Sequence, residues 1–307
     1  MAYSAWTRGR TIALVLTCTL APALPAAAAP AMTGLISWLD ANDAATLSLG
    51  GASVSQWRDK SGNGNHVNQA ASGAQPTYTA GYTPNGSAAI VFDGVNDVMP
   101  YVLGPTLTQF SMFIVWNQIS MPGGYASGDY YPAFIGSGDV NAPGSYMSIE
   151  IGQHATGDAN ALDIIGGYNN DSRATLTGIA ATGAVRSMSV TSSNTADTQV
   201  WLNGEAAAMS TTGSTTAWNF TLGNVAGDGP LGLGGLNWPS QNAVIYDNVA
   251  ISSVLIYDRV LTTNERQQTE GFLATEYGVL VPEPATGALL ALGALSVVFG
   301  RRARAKG

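Results

Sequence analysis

Cysteine is nearly absent from this chain: one residue in 307, Cys18. Cys18 falls in an apolar N-terminal run, so the rest of the chain has no thiol chemistry, no disulfide and no cysteine-based metal cluster. Histidine is almost as scarce, with His66 and His154 far apart. Charged residues make up only 10% of the chain. Half of the 12 basic residues sit at the ends: Arg8, Arg10, Arg301, Arg302, Arg304 and Lys306. Over residues 32–280 six basic residues face 19 acidic ones, a formal charge of −13; the twentieth acid is Glu283. Such a surface repels nucleic acid and anionic headgroups, so no nucleic-acid partner is expected.

Signatures of catalysis are also missing. There is no G-x-S-x-G elbow and no H-E-x-x-H pair. The Gly-Leu-Gly-Gly stretch at 232–235 lacks the Lys-Ser/Thr that would make it a phosphate cradle. A glycosidase needs two carboxylates roughly 5–9 Å apart. On one strand they would show as acidic residues two apart, but Glu150 and Asp163 each stand alone. From the sequence, then, no enzyme is expected.

What is present begins at the two ends. Arg8 and Arg10 precede an apolar run from Thr11 to Leu24, and small residues follow from Ala26 to Ala31. That is the three-part pattern of a secretory leader, here taken as residues 1–31. Cleavage after Ala28 or after Ala31 satisfies the pattern equally, and an uncleaved anchor is the plainer alternative. At the other end Pro282, Glu283 and Pro284 precede 16 uncharged residues, Ala285 to Gly300, and then a basic cluster with Arg301 and Arg302. A helix over those residues would be about 24 Å long, short for a membrane span. The basic end would lie on the cytoplasmic side.

This arrangement resembles the PEP-CTERM sorting signal of exported bacterial proteins. The resemblance implies a sorting segment over 281–307 with a short transmembrane helix of its own. It also implies an exosortase-type membrane protease as partner, and membrane attachment through the helix at least before processing. The expected location is the envelope, surface or extracellular matrix of a Gram-negative bacterium. A plain C-terminal anchor is the alternative.

The body, residues 32–280, is rich in Gly, Ser, Thr and Asn, and its apolar runs are short and broken by turns. Phe110, Met112, Ile114 and Trp116 alternate with Phe113 and Val115, an inner strand covered on both sides. Asn203-Gly204 marks a hairpin. Thr262 and Glu265 form a capping-box pattern opening one helix, and Gly278 can close it.

The run from Val54 to Asn65 (VSQWRDKSGNGN), then Phe92-Asp93-Gly94, then Ile256-Tyr257-Asp258-Arg259-Val260-Leu261 with Glu265 and Tyr277-Gly278, look like a concanavalin A-like jelly roll of the laminin-G type. The resemblance implies an all-β sandwich of two antiparallel sheets with one short C-terminal helix. It also implies a glycan-binding or adhesive role, with calcium as a candidate cofactor at a rim of loops. Ca²⁺ wants six to eight oxygens, and Asp59, Asn63 and Asp93 are the candidate ligands. The plainer reading makes them turn residues bonded to the backbone. Ring faces suit the apolar faces of sugars. Tyr130, Tyr131 and Trp238, in Gly-rich stretches, are the candidate ligand-binding residues, whereas Trp116 reads as core. The expected partner is an exopolysaccharide or a surface protein. The alternative is a structural matrix component or adhesin without a sugar ligand.

Overall fold

The computed structural model describes residues 29–104, 106–120, 133–137, 147–151, 162–166, 172–176, 183–193, 198–208, 210–213, 222, 230–238 and 243–279. The expected leader, up to residue 28, and the sorting tail, with the short helix expected there, therefore lie outside the described residues. No helix among the described residues is long and apolar enough to cross a membrane.

The spine is the strand Asn248–Tyr257. It pairs antiparallel with Leu35–Asp40 on one side and with Phe110–Ser120 on the other. Phe110–Ser120 continues the sheet to Arg186–Ser192, which pairs with Gln199–Leu202. The near-continuous apolar character of residues 110–116 has a direct cause: the sheet is covered on both sides. Phe110, Met112, Ile114 and Trp116 enter the main core with Val254 and Ile256. Phe113 and Val115 enter a second core with Leu255, Tyr257, Leu273 and Tyr277, under the helix. Trp116 is core as its sequence context suggests, stacked on Phe134 with ring centroids 5.2 Å apart.

The helix, Thr263–Tyr277, starts at a complete capping box. The Thr262 side chain accepts from the Glu265 N–H and the Glu265 carboxylate accepts from the Thr262 N–H. It stops at Gly278, whose left-handed φ of 67° an L-side chain adopts at a cost. Its buried face is polar as well as apolar. Arg266 pairs with both oxygens of Glu270, and Ser189 donates to the same carboxylate. The Arg266 guanidinium lies 4.0 Å from the centre of the Trp201 ring. At the far end the Tyr277 hydroxyl donates to Asp40 at 2.7 Å.

The expectation of two separate antiparallel sheets needs correction. The described strands hydrogen-bond into one large mixed sheet of 20 strands. The cause is a bridging strand: Ala89–Val91 pairs both with Thr77–Thr79 and with the spine strand. One pairing is parallel, Gly235–Trp238 against Ala133–Ser137.

Candidate functional site

The motif loop 59–65 folds around one carboxylate. Asp59 Oδ1 accepts from the N–H groups of Trp38 and Ser61, both at 2.8 Å. Its Oδ2 accepts from the Ser61 hydroxyl at 2.8 Å and the Asn65 N–H at 3.1 Å. Those four donors use the lone-pair directions a carboxylate has. Asn63 and Asn65 donate their amides to the carbonyls of Leu35 and Ile36, at 3.0 and 2.7 Å. The Asp59 N–H donates to His66 Nδ1 at 3.0 Å. The loop is thus stitched to the strand Leu35–Asp40, and Asp59 is its staple.

Asp93 does the same at another rim. Its Oδ1 accepts from the N–H groups of Val95, Asn96 and Asp97. Burial acts to raise this carboxyl, but those donors outweigh it and hold the group below the usual carboxylate range. Asp97 is pushed up to about 6, first by burial and then by the charge of Asp93. Gly94 turns the chain at φ +73°, and a Cβ there would meet Asn248 at 2.9 Å. The Asp93 turn thus lies at the start of the spine strand. The Asn63 loop lies by Leu35, which pairs with Tyr257 at the end of that strand. The length of the spine, about 30 Å, separates the two. Asp59, Asn63 and Asp93 accordingly do not converge on one ion. Among the described residues, no three His, Cys, Asp or Glu side chains gather as a metal-holding group.

Beside the Asp93 turn sits a buried pair with no counterpart among the sequence candidates. Gln118 Nε2 donates to Asp247 Oδ1 at 2.6 Å, and both residues are fully buried. Asp247 Oδ2 and Gln118 Oε1 have no hydrogen-bond partner among the described residues. Burial pushes the Asp247 carboxyl up to about 7, against the smaller opposing effects of Gln118 and the Asn248 N–H. Only burial sets Asp247 apart from other strand-end aspartates, and burial has no local sequence signal.

A second feature emerges from strand register. Met147–Ile151 pairs with Leu162–Gly166, which pairs with Ser172–Leu176, which pairs with Ser210–Gly213. Glu150 stands directly opposite Asp163, and Asp163 directly opposite Thr175. Arg173, opposite both Ile165 and Thr212, falls on the same face by the two-residue repeat of a strand. The other face carries positions 149, 164, 174 and 176, and Leu176 is buried in the main core. Residues directly opposite in an antiparallel pair have Cβ atoms about 4.5–5.5 Å apart. The two acids are solitary in sequence and neighbours in the sheet.

Of the predicted aromatic ligands, Tyr130 and Tyr131 lie outside the described residues. Trp238 ends the strand Gly235–Trp238, in register with Ala243. The sorting residues Pro282, Glu283, Pro284, Arg301 and Arg302 also lie outside the described residues.

No curated protein matches the chain. The binding domain of botulinum neurotoxin DC, solved in complex with rat synaptotagmin II, is similar at 12% identity and a TM-score of 0.50. That match covers 80% of this chain and 52% of the other. Trypanosoma rangeli sialidase, solved with 2,3-difluorosialic acid as a covalent intermediate, is similar at 17% identity and a TM-score of 0.44, over 79% of this chain and 33% of the other. This chain therefore spans about half the length of the toxin domain and a third of that of the sialidase. These likenesses are of fold alone. The expectation that the chain is no enzyme is nevertheless withdrawn, because its structural neighbours include enzymes. Residues 280–304 match the PEP-CTERM protein-sorting motif, which indicates export to the bacterial cell envelope or surface and implies recognition by exosortase in the membrane.

Proposed function

We propose that the body is a laminin-G-type jelly roll that binds a neutral, hydroxyl-rich polysaccharide at the Glu150–Asp163 face, at the surface to which the sorting tail directs it. The observation carrying this reading is the cross-strand register of Glu150 and Asp163, with Arg173 and Thr175 on the same face. Ionised carboxylates only accept hydrogen bonds, so a pair of them calls for a ligand dense in donors, and vicinal sugar hydroxyls meet that need. Two like charges set opposite each other repel, and a ligand bridging them offsets part of that cost. The net charge of −13 over residues 32–280 disfavours anionic polymers, which points to a neutral glycan. In this reading such polymers come from a Gram-negative exopolysaccharide matrix around the cell surface. Calcium enters this reading as an additional ligand-side ion, not as one held by a trio of Asp59, Asn63 and Asp93.

The test is a glycan array with the exported protein, run with calcium and again with chelator. Saturable binding to neutral glycans that falls at least about tenfold in the Glu150→Gln/Asp163→Asn double variant supports the reading. Binding that ignores the double variant, or that selects anionic glycans, refutes it. Loss of binding in chelator alone assigns an ion to the complex.

One observation favours a second reading. Directly opposed strand positions set Cβ atoms about 4.5–5.5 Å apart, close enough for two carboxyl groups to reach the roughly 5–5.5 Å separation of retaining glycosidases. Under that reading the same pair would cleave the glycan, one acid protonating the leaving oxygen while the other attacks the anomeric carbon; water, deprotonated by the first carboxylate, then displaces the second and frees the sugar. Release of new reducing ends from an array-positive polysaccharide, lost in Glu150→Gln, would decide for it.

A further inference from the structure

The chain offers two chemically equivalent cleavage positions at its N-terminal end, and the fold distinguishes them. Residues 29–31 belong to the packed body. The Ala29 carbonyl accepts from Gln268 Nε2 at 2.8 Å. Pro30 is buried. Ala31 is 7% exposed and lies in the core under the helix, with Leu35, Leu273, Tyr277 and Val279. Its N–H donates to Thr269 Oγ1 at 3.3 Å, and that hydroxyl donates in turn to the Glu265 carbonyl at 2.9 Å. Only after this segment does the chain turn into its first strand, where the Thr33 carbonyl accepts two bonds from Arg259.

Cutting after Ala31 would strip away the buried proline, the buried alanine and both bonds to the helix. The new terminus would be exposed in either case, on Met32 or on Ala29, so the loss of packing and of the two bonds is what separates the two cuts. Cutting after Ala28 keeps the segment whole and leaves the new ammonium on Ala29, which is exposed. We infer that the leader is removed between Ala28 and Ala29, so that the mature chain begins Ala29-Pro30-Ala31 and uses those residues to lock the helix onto the sheet. This inference rests on the export reading. It also moves the start of the body from residue 32 to residue 29.

The experiment expresses the full chain in a bacterial host with a general secretory pathway. The exported product is then read by N-terminal sequencing and intact mass. A start at Ala29 is expected. An exported product that starts at Met32 overturns the inference and leaves export standing. A product that keeps Met1 and stays in the cytoplasm overturns the inference together with the export reading. Two variants sharpen the result, because the residue just before the cut must be small. Ala28→Leu should block processing while Ala31→Leu should not, as read by the size of the precursor, which does not depend on folding. The reverse pattern overturns the inference. Finally, full chains deleted for 29–31 retain the Ala26-Ala27-Ala28 signal and mature at Met32. Their product should melt roughly 2–8 °C below the wild type, given the lost hydrogen bonds and burial. Equal melting points would show that the segment does not lock the helix.

Discussion

Replacing Asp247 with asparagine should stabilise the folded protein above neutrality and change little in acid. The side chain is 0% exposed, with one oxygen bonded to Gln118 Nε2 at 2.6 Å and the other without a partner among the described residues. Burial pushes its carboxyl from 3.8 in the free group up to about 7. In the unfolded chain the proton leaves near pH 4, and in the folded chain it stays until about pH 7. Between those values the unfolded state binds fewer protons, so stability falls as pH rises through the window and levels off above it. About three pH units at about 1.4 kcal/mol each give a loss of about 4 kcal/mol. Asparagine keeps an acceptor for Gln118, places an amide where the unpartnered oxygen stood, and has no charge to bury. Urea unfolding of both proteins at about pH 4, 5.5, 7 and 8.5 measures the effect as a difference, in which the titrations common to both proteins cancel. The variant should match the wild type at the acid end and exceed it by up to about 4 kcal/mol at the alkaline end. Curves that run parallel across all four values, or a variant weaker in alkali, would refute the argument. The folded carboxylate would then be stabilised by something other than the groups around it here.

Glu270→Ala should cost about 3–5 kcal/mol in urea unfolding, because it leaves Arg266 buried without its carboxylate. The Arg266→Met/Glu270→Leu double variant should lose less than that single one, and a larger loss would overturn the reasoning. Gly234→Ala should destabilise by several kcal/mol or prevent folding. Its φ is +74°, and a Cβ there would overlap the Phe92 ring. A Gly234→Ala protein with the wild-type melting point would contradict that packing.

The parts of the fold legible in the sequence are those whose cause is local or nearly so. The helix start is readable because Thr262 and Glu265 bond each other's backbone three residues apart. The strand 110–116 is readable because burial on both faces leaves few polar positions to obscure it. The W-R-D-K-S-G-N-G-N run is readable as a pattern, and the structure gives its reason: Asp59 gathers four donors within the loop and from Trp38. The tail is readable because order along the chain is itself the signal, and the sorting motif covers it. The two-sheet expectation fails at Ala89–Val91, a three-residue strand with two partners far from each other in sequence. Val91 pairs with Thr77, 14 residues before it, and with Ala250, 159 residues after it. No local pattern connects those three positions.

The candidate site is hidden for the same reason. A search for carboxylates two apart on one strand misses Glu150 and Asp163, because the sheet brings them together from neighbouring strands, 13 positions apart. Finding them from sequence requires the register of the hairpin, and its apolar positions can supply it. Ile149 and Ile151 alternate with Glu150, and Leu162 and Ile164 alternate with Asp163. Aligning the two apolar sets on one face leaves the two acids on the other, because a strand's side chains alternate strictly. Asp247 has no such route, since its raised carboxyl depends on burial among elements far from it in sequence. A site built from register can be read from paired strands; a site built from burial needs the fold.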